Sequence, residues 1–197
     1  DDGDELWAIV ERTIAGETVR YMEVMTPPFG DTAAKEDATM LDAHLSYAGT
    51  ATDTVSGLWH LRGETVSILN NGAVESATVD ASGRLVLSRE TTKACIGFSY
   101  TAILETEDFE AGAQAGTAQS RMKRISQVFV RVLNSLGGMI GPDSDNQTAI
   151  LYRQTSDLLG SSPALRSGLI ENDFNGGFER WSRVRIEHDE QGGRRLF

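Results

Sequence analysis

A single cysteine, Cys95, stands in a chain of 197 residues. That excludes an internal disulfide framework and leaves the fold to packing alone. No run of eighteen apolar residues occurs, so no membrane-spanning helix is expected. Basic residues are few: 18 Lys and Arg stand against 29 Asp and Glu, a formal net charge of −11. Tight binding to nucleic-acid phosphates rests on Lys and Arg displacing counterions, so this balance argues against it. One reading of the acidity is that it keeps a cytoplasm-made protein soluble; the sharper one is a surface past which DNA slides without sticking, and composition does not choose between them. The start, DDGDELWAIVERT, is acidic where a signal peptide would be basic. A chain that begins on Asp1 without Met is expected to be a fragment of something longer, or a processed product.

Catalytic and ligand-binding signatures are equally sparse. The three histidines, His44, His60 and His188, have no ligand-like spacing and form no HExxH, so hydrogen-bonded structural roles are expected for them. Cys95 lies in the alternating stretch KACIGFSY with no basic cluster beside it to lower its pKa, which points to a structural thiol. There is no GxSxG elbow, no GxGxxG and no phosphate-cradling loop. Asp143-Ser144-Asp145-Asn146 opens like a calcium loop, but the sixth and twelfth places hold Thr148 and Gln154 in place of Gly and Glu, so a solvated turn is expected. Asn146-Gln147-Thr148 matches the glycosylation triplet without any secretion signal to activate it. The one local basic cluster, Arg121, Lys123 and Arg124, reads as a solvated edge. Trp7, Trp59 and Trp181 sit in or beside apolar periodic segments and are expected to pack in the core. No catalytic, cofactor-binding or metal-binding residue is assigned, and no enzyme activity is expected.

What is there is strand after strand. From Thr54 to Asp80 and on to Glu105, turn signals at Gly63, Asn71-Gly72 and Ser82-Gly83 punctuate apolar alternation. Asn-Gly supplies the two left-handed residues of a type I′ hairpin. Ala94, Ile96, Phe98, Tyr100, Ala102 and Leu104 carry the two-residue period of a strand with one buried face. A core of Leu58, Val66, Ile68, Leu85, Ile96 and Phe98 follows. Upstream, LWAIVERT and TVRYMEVM form a hairpin across Ala15-Gly16-Glu17, ended by Pro27-Pro28. Leu6–Val10 is apolar on both faces, which predicts a strand inside a sheet.

Residues 31–42 read as a surface connection with at most a turn or two of helix, and 110–120 as a loop. Val128, Val130 and Val132 share one face of a further strand that Gly137-Gly138 ends, Tyr152 starts a short strand, and 156–168 is mostly turn chemistry. Val184 and Ile186 alternate with Arg183, Arg185 and Glu187 in the last strand. The expected architecture is all-β with little helix. A small β-barrel or sandwich module at 45–107 is inserted into an antiparallel sheet domain made of 1–44 and 108–197.

Three phrases, DELWAIVERTIAGETVRYMEVMTPPF, VSGLWHLRGETVSILNNGAV and GTAQSRMKRISQVFVRVLNSLGGMIG, resemble in content and order the tail nozzle (tail tubular protein B) family of podophages, which carries an FCCH-like β-barrel module. The final DEQGGRRLF departs from the apolar, proline-containing ending of that family. The resemblance implies a non-enzymatic virion protein, made in the host cytoplasm and located in the phage tail. Its partners would be copies of itself in a hexameric ring around the genome exit channel, together with neighbouring tail or adaptor proteins. The alternative is a carbohydrate- or receptor-binding β-module of a tail fibre or adhesin, for which exposed tryptophans would be the mark. A metal-assisted hydrolase using His60 or His188 is the remaining rival.

Overall fold

A computed structural model describes residues 5–25, 34–110, 121–153, 155, 157 and 162–188. Pro27-Pro28, residues 111–120 of the second loop, Gln154 and the ending 189–197 lie outside the described residues. Strand is the dominant state, and among the described residues the only helical turns are two 3-10 turns, Lys35–Asp37 and Trp59–Leu61. The protein is all-β, built from several antiparallel sheets.

Backbone contacts divide the chain into two compact units, Asp1–Tyr100 and Thr101–Phe197. This division differs from the insertion expected at 45–107. The first hairpin is tied to residues 42, 62 and 64, and 102–105 pairs with residues 185–188. The alternation from Ala94 to Leu104 is not one strand. It breaks after Phe98, and Tyr100 is exposed.

In the first unit, β1 (Trp7–Ile14) and β2 (Glu17–Val24) form a two-stranded ribbon. Its two-residue turn puts Ala15 at φ 50° and Gly16 at φ 80°, the left-handed pair that a type I′ hairpin requires. β1 therefore lies at an edge, contrary to the reading of Leu6–Val10 as interior sheet. Leu6, Trp7 and Ile9 are exposed. Apolar residues on both faces of a strand need a layer on each side, and this ribbon has none over its outer side.

β3 (Asp42–Ser56), β4 (Thr65–Asn70), β5 (Ala73–Thr78) and β6 (Arg84–Phe98) make a four-stranded sheet in the order β3-β6-β4-β5. β3 and β6 are each 15 residues long, and their pairing shifts register three times. Such bulges bend a strand and increase its twist. Val55, Leu85 and Leu87 near one end thereby share a core with Val66, Ile68 and Ile96. Leu58 and Leu61 close it, and Phe98 packs against it half-buried. Asn71-Gly72 turns β4 into β5 with both residues left-handed. The stretch expected to be a surface connection is partly interior: Ala38 and Leu41 cover Leu69 and Cys95 on the sheet's second face. That cover is why Ala94–Gly97 is buried on both sides.

In the second unit, β7 (Ala102–Glu105), β9 (Met139–Gly141), β10 (Thr148–Ala149) and β12 (Arg185–His188) form a sheet in the order β10-β9-β12-β7. β8 (Gln127–Ser135) pairs with β11 (Arg166–Asp173) as a second ribbon. As expected, Val130 and Val132 are buried, and Val184 and Ile186 are buried at the other end of the chain. With Ile140, Ile150, Ile170 and Phe174 they form one core. Tyr152 is buried in that core but starts no strand. β11 was not foreseen, since its first residues read as turn chemistry.

Candidate functional site

The ribbon β1–β2 presents two different faces. Direct cross-strand partners share a face, so the register puts Trp7–Val24, Ile9–Met22, Glu11–Arg20 and Thr13–Thr18 on one side as four consecutive rows. All eight residues are exposed, with Ile9 at 78% and Met22 at 71%. The third row is closed by an ion pair, Arg20 donating from Nε to Oε2 of Glu11 at 2.9 Å. The outer face is thus an apolar quartet ending in a salt bridge.

The inner face carries Ala8, Val10, Arg12 and Ile14. It borders a cleft of about 870 Å³ whose lining includes Tyr21, Leu45 and His60. At its floor Arg12 makes two bidentate forks. Nε and Nη2 donate to Glu23 at 2.9 and 2.8 Å, and Nη1 and Nη2 to Asp42 at 2.9 Å each. Hydrogen bonds donated to Glu23 and then to Asp42 hold the guanidinium even more firmly protonated than usual. Two carboxylates around one cation leave this floor net negative, so it repels anions. At the turn end, the Ala15 amide donates to Glu64 at 2.8 Å and Arg62 pairs with Glu17 at 3.1 Å. These polar ties brace the ribbon.

The three histidines each donate to a backbone carbonyl. His44 Nδ1 reaches Leu41, His60 Nε2 reaches Ala43 and His188 Nε2 reaches Leu136, at 3.0, 2.9 and 3.1 Å. His60 also meets Tyr21 edge to face, with ring centroids 6.2 Å apart. The Ala43 carbonyl belongs to a bulge where Ala43 itself has φ 49°. Gly97 faces this bulge, and a Cβ there would stand 2.6 Å from the Asp42 carbonyl oxygen.

Cys95 is buried, and burial pushes its thiol up to about 11, with a hydrogen bond from Ser46 acting the other way. Asp143 organises an exposed turn. Its Oδ1 accepts from the amides of Asp145 and Asn146 and from Asn146 Nδ2, and the Asn146 side chain leads these bonds in holding its carboxyl below the usual range. Among the described residues no group of three or more His, Cys, Asp or Glu side chains is placed to hold a metal ion.

No family model matches the chain, and no curated protein matches it.

The tryptophans overturn an expectation. Trp7, Trp59 and Trp181 are 56%, 60% and 66% exposed, so none is a core residue. Their segments are periodic, but each ring falls on the uncovered side of its element or in a turn. Trp59 lies in a 3-10 turn against Gly83. In the second unit the outer face of β8–β11 exposes Phe129, Leu133 and Leu169 around Arg131 and Glu171. The expected solvated basic edge is partly engaged: Lys123 Nζ donates to the Phe109 carbonyl at 2.7 Å, and Arg124 lies over Phe178, 5.8 Å from the ring centroid.

Missed in the sequence were the Arg12–Glu23–Asp42 cluster and the apolar outer faces of both ribbons. Hairpin alternation already puts Arg12 and Glu23 on the face of Val10 and Tyr21, an inward charge pair that a register reading could have flagged. Asp42, 30 residues away, left no such signal.

Proposed function

We propose that this chain is a non-enzymatic structural protein of a phage tail, of the nozzle type, forming part of the ring around the genome exit channel. The observation that carries this reading is the organised apolar exposure on strand faces in both units: Trp7, Ile9, Met22 and Val24 on one ribbon, Phe129, Leu133 and Leu169 on the other. Neighbouring exposed apolar residues on a strand face suit contact with another protein surface. A ring needs at least two different contact faces on each subunit. The net charge of −11 agrees with a channel that lets phosphate pass unbound.

Quantitative mass spectrometry of purified phage particles encoding the chain tests this. Its peptides are expected at a fixed ratio to portal and adaptor proteins, and their absence from intact particles overturns the reading. Duplex DNA mixed with the chain at physiological salt is expected to show no electrophoretic shift.

A second reading has its own support. Three tryptophans more than half exposed suit a carbohydrate- or receptor-binding module of a tail fibre or adhesin. Tryptophan fluorescence titrated with host-surface glycans separates the two. A saturable shift favours the binding module, and no shift favours assembly.

A further inference from the structure

We propose that the outer face of the β1–β2 ribbon is a self-association surface that pairs with the same face of a second copy about a twofold axis along the ribbon. The argument is the row-by-row register. Such an axis lays β1 of one copy over β2 of the other. Trp7 then meets Val24, Ile9 meets Met22, Glu11 meets Arg20 and Thr13 meets Thr18, and each contact occurs twice. Apolar rows fall on apolar rows and each acid falls on a base, so the face is complementary to itself in register. Two ribbons stacked this way lie at the ordinary sheet-to-sheet spacing of about 10 Å. The exposed side chains need no desolvation of an unpaired charge, because Glu11 and Arg20 are already paired within each copy and gain a second partner across the axis.

The face is small. Eight residues rising about 3.4 Å each give a strip about 27 Å long and about 10 Å wide. That is well short of the roughly 800 Å² per partner of a stable complex, so the pair is weak and concentration-dependent. It stands apart from the tail reading and competes with it for this surface, because a face closed in a twofold pair is not free to serve as one of the different faces that close a ring.

Sedimentation velocity over a concentration series up to roughly millimolar, in about 0.15 M salt, tests the contact. The wild-type chain is expected to rise toward twice the monomer mass. Glu11→Arg places Arg over Arg, and Arg20→Glu places Glu over Glu, so each variant alone is expected to stay monomeric with an unchanged circular dichroism spectrum. The equimolar mixture of the two is expected to pair at least about tenfold more tightly than either alone, because opposite charges again face across the axis. Loss of the charge pair inside one copy cannot produce that recovery. A wild-type chain that stays monomeric throughout, single variants that pair as well as wild type, or a mixture that fails to recover would each overturn the proposal. Ile9→Lys is expected to remove pairing in every combination.

Discussion

The two ribbons, β1–β2 in the first unit and β8–β11 in the second, share a plan: two antiparallel strands of eight or nine residues with alternating side chains. They are held in different ways. Behind β8–β11 lies a closed apolar core, with Val130, Val132 and Ile170 each at most 7% exposed. Behind β1–β2 lies a cleft, and the ribbon is fastened by the Arg12 forks, the Arg62–Glu17 pair and one amide bond to Glu64. Alternation decides which residues share a face. It does not decide whether a second layer covers that face, because the layer comes from distant sequence. The second ribbon is therefore bound mainly by the hydrophobic effect, whereas the first adds charged hydrogen bonds to the burial of Ile14.

Substitutions in the closed cores are expected to have the largest effects. Ile96→Ala in the sheet β3-β6-β4-β5 should cost on the order of 2–5 kcal/mol by urea denaturation, since it opens a cavity among fully buried neighbours. Ile9→Ala on the ribbon's outer face should stay within about 0.5 kcal/mol. Equal losses at the two positions would erase the distinction between covered and uncovered faces.

Gly97→Ala comes next, at about 1–3 kcal/mol, because its Cβ meets the Asp42 carbonyl oxygen and the Cα and Cβ of His44, none of which can swing away. Thermal melting measures it, and no change would mean that the bulge at Ala43 yields freely.

Arg12→Met should loosen the ribbon specifically. Its partners are partly solvated, so the expected cost is about 1–2 kcal/mol, less than for a fully buried pair. Hydrogen exchange should accelerate at residues 7–24 and stay unchanged across β8–β11. Uniform acceleration would contradict the idea that polar ties hold only the first ribbon.

The smallest effect is a pH dependence at β5 of the first unit. Burial opposes ionisation of Glu75, but hydrogen bonds from Ser88 and Asn70 outweigh it and hold its carboxyl below the ordinary 4.5. Its contribution is therefore fully present above pH 4.5 and is lost as the pH falls through the lower folded value. Glu75→Gln should flatten the acid limb of the stability profile. An unchanged limb would assign acid sensitivity to other carboxylates.

Much of the fold was legible in particular residues. The hairpin at Asn71-Gly72, the core from Leu58 to Ile96, the buried face of Val130 and Val132, and the last strand around Ile186 all follow from turn chemistry and a two-residue period. These are local properties, fixed within a few residues of chain. β11 was hidden because Ser167 and Gly168 look like a turn until β8 supplies hydrogen-bonding partners. The candidate site was less legible, because it is made of what lies uncovered.

By itself, then, the amino-acid order determined the strand class, the turns, the partition of residues between faces and the negative charge. Only the tertiary structure decided that β1 is an edge strand, that Trp7, Trp59 and Trp181 face solvent, that Ala38 and Leu41 are interior and that Asp42 joins Arg12. Each of these depends on which segment supplies the second layer over a given face. That choice is made by contacts between residues tens of positions apart, where local periodicity carries no information.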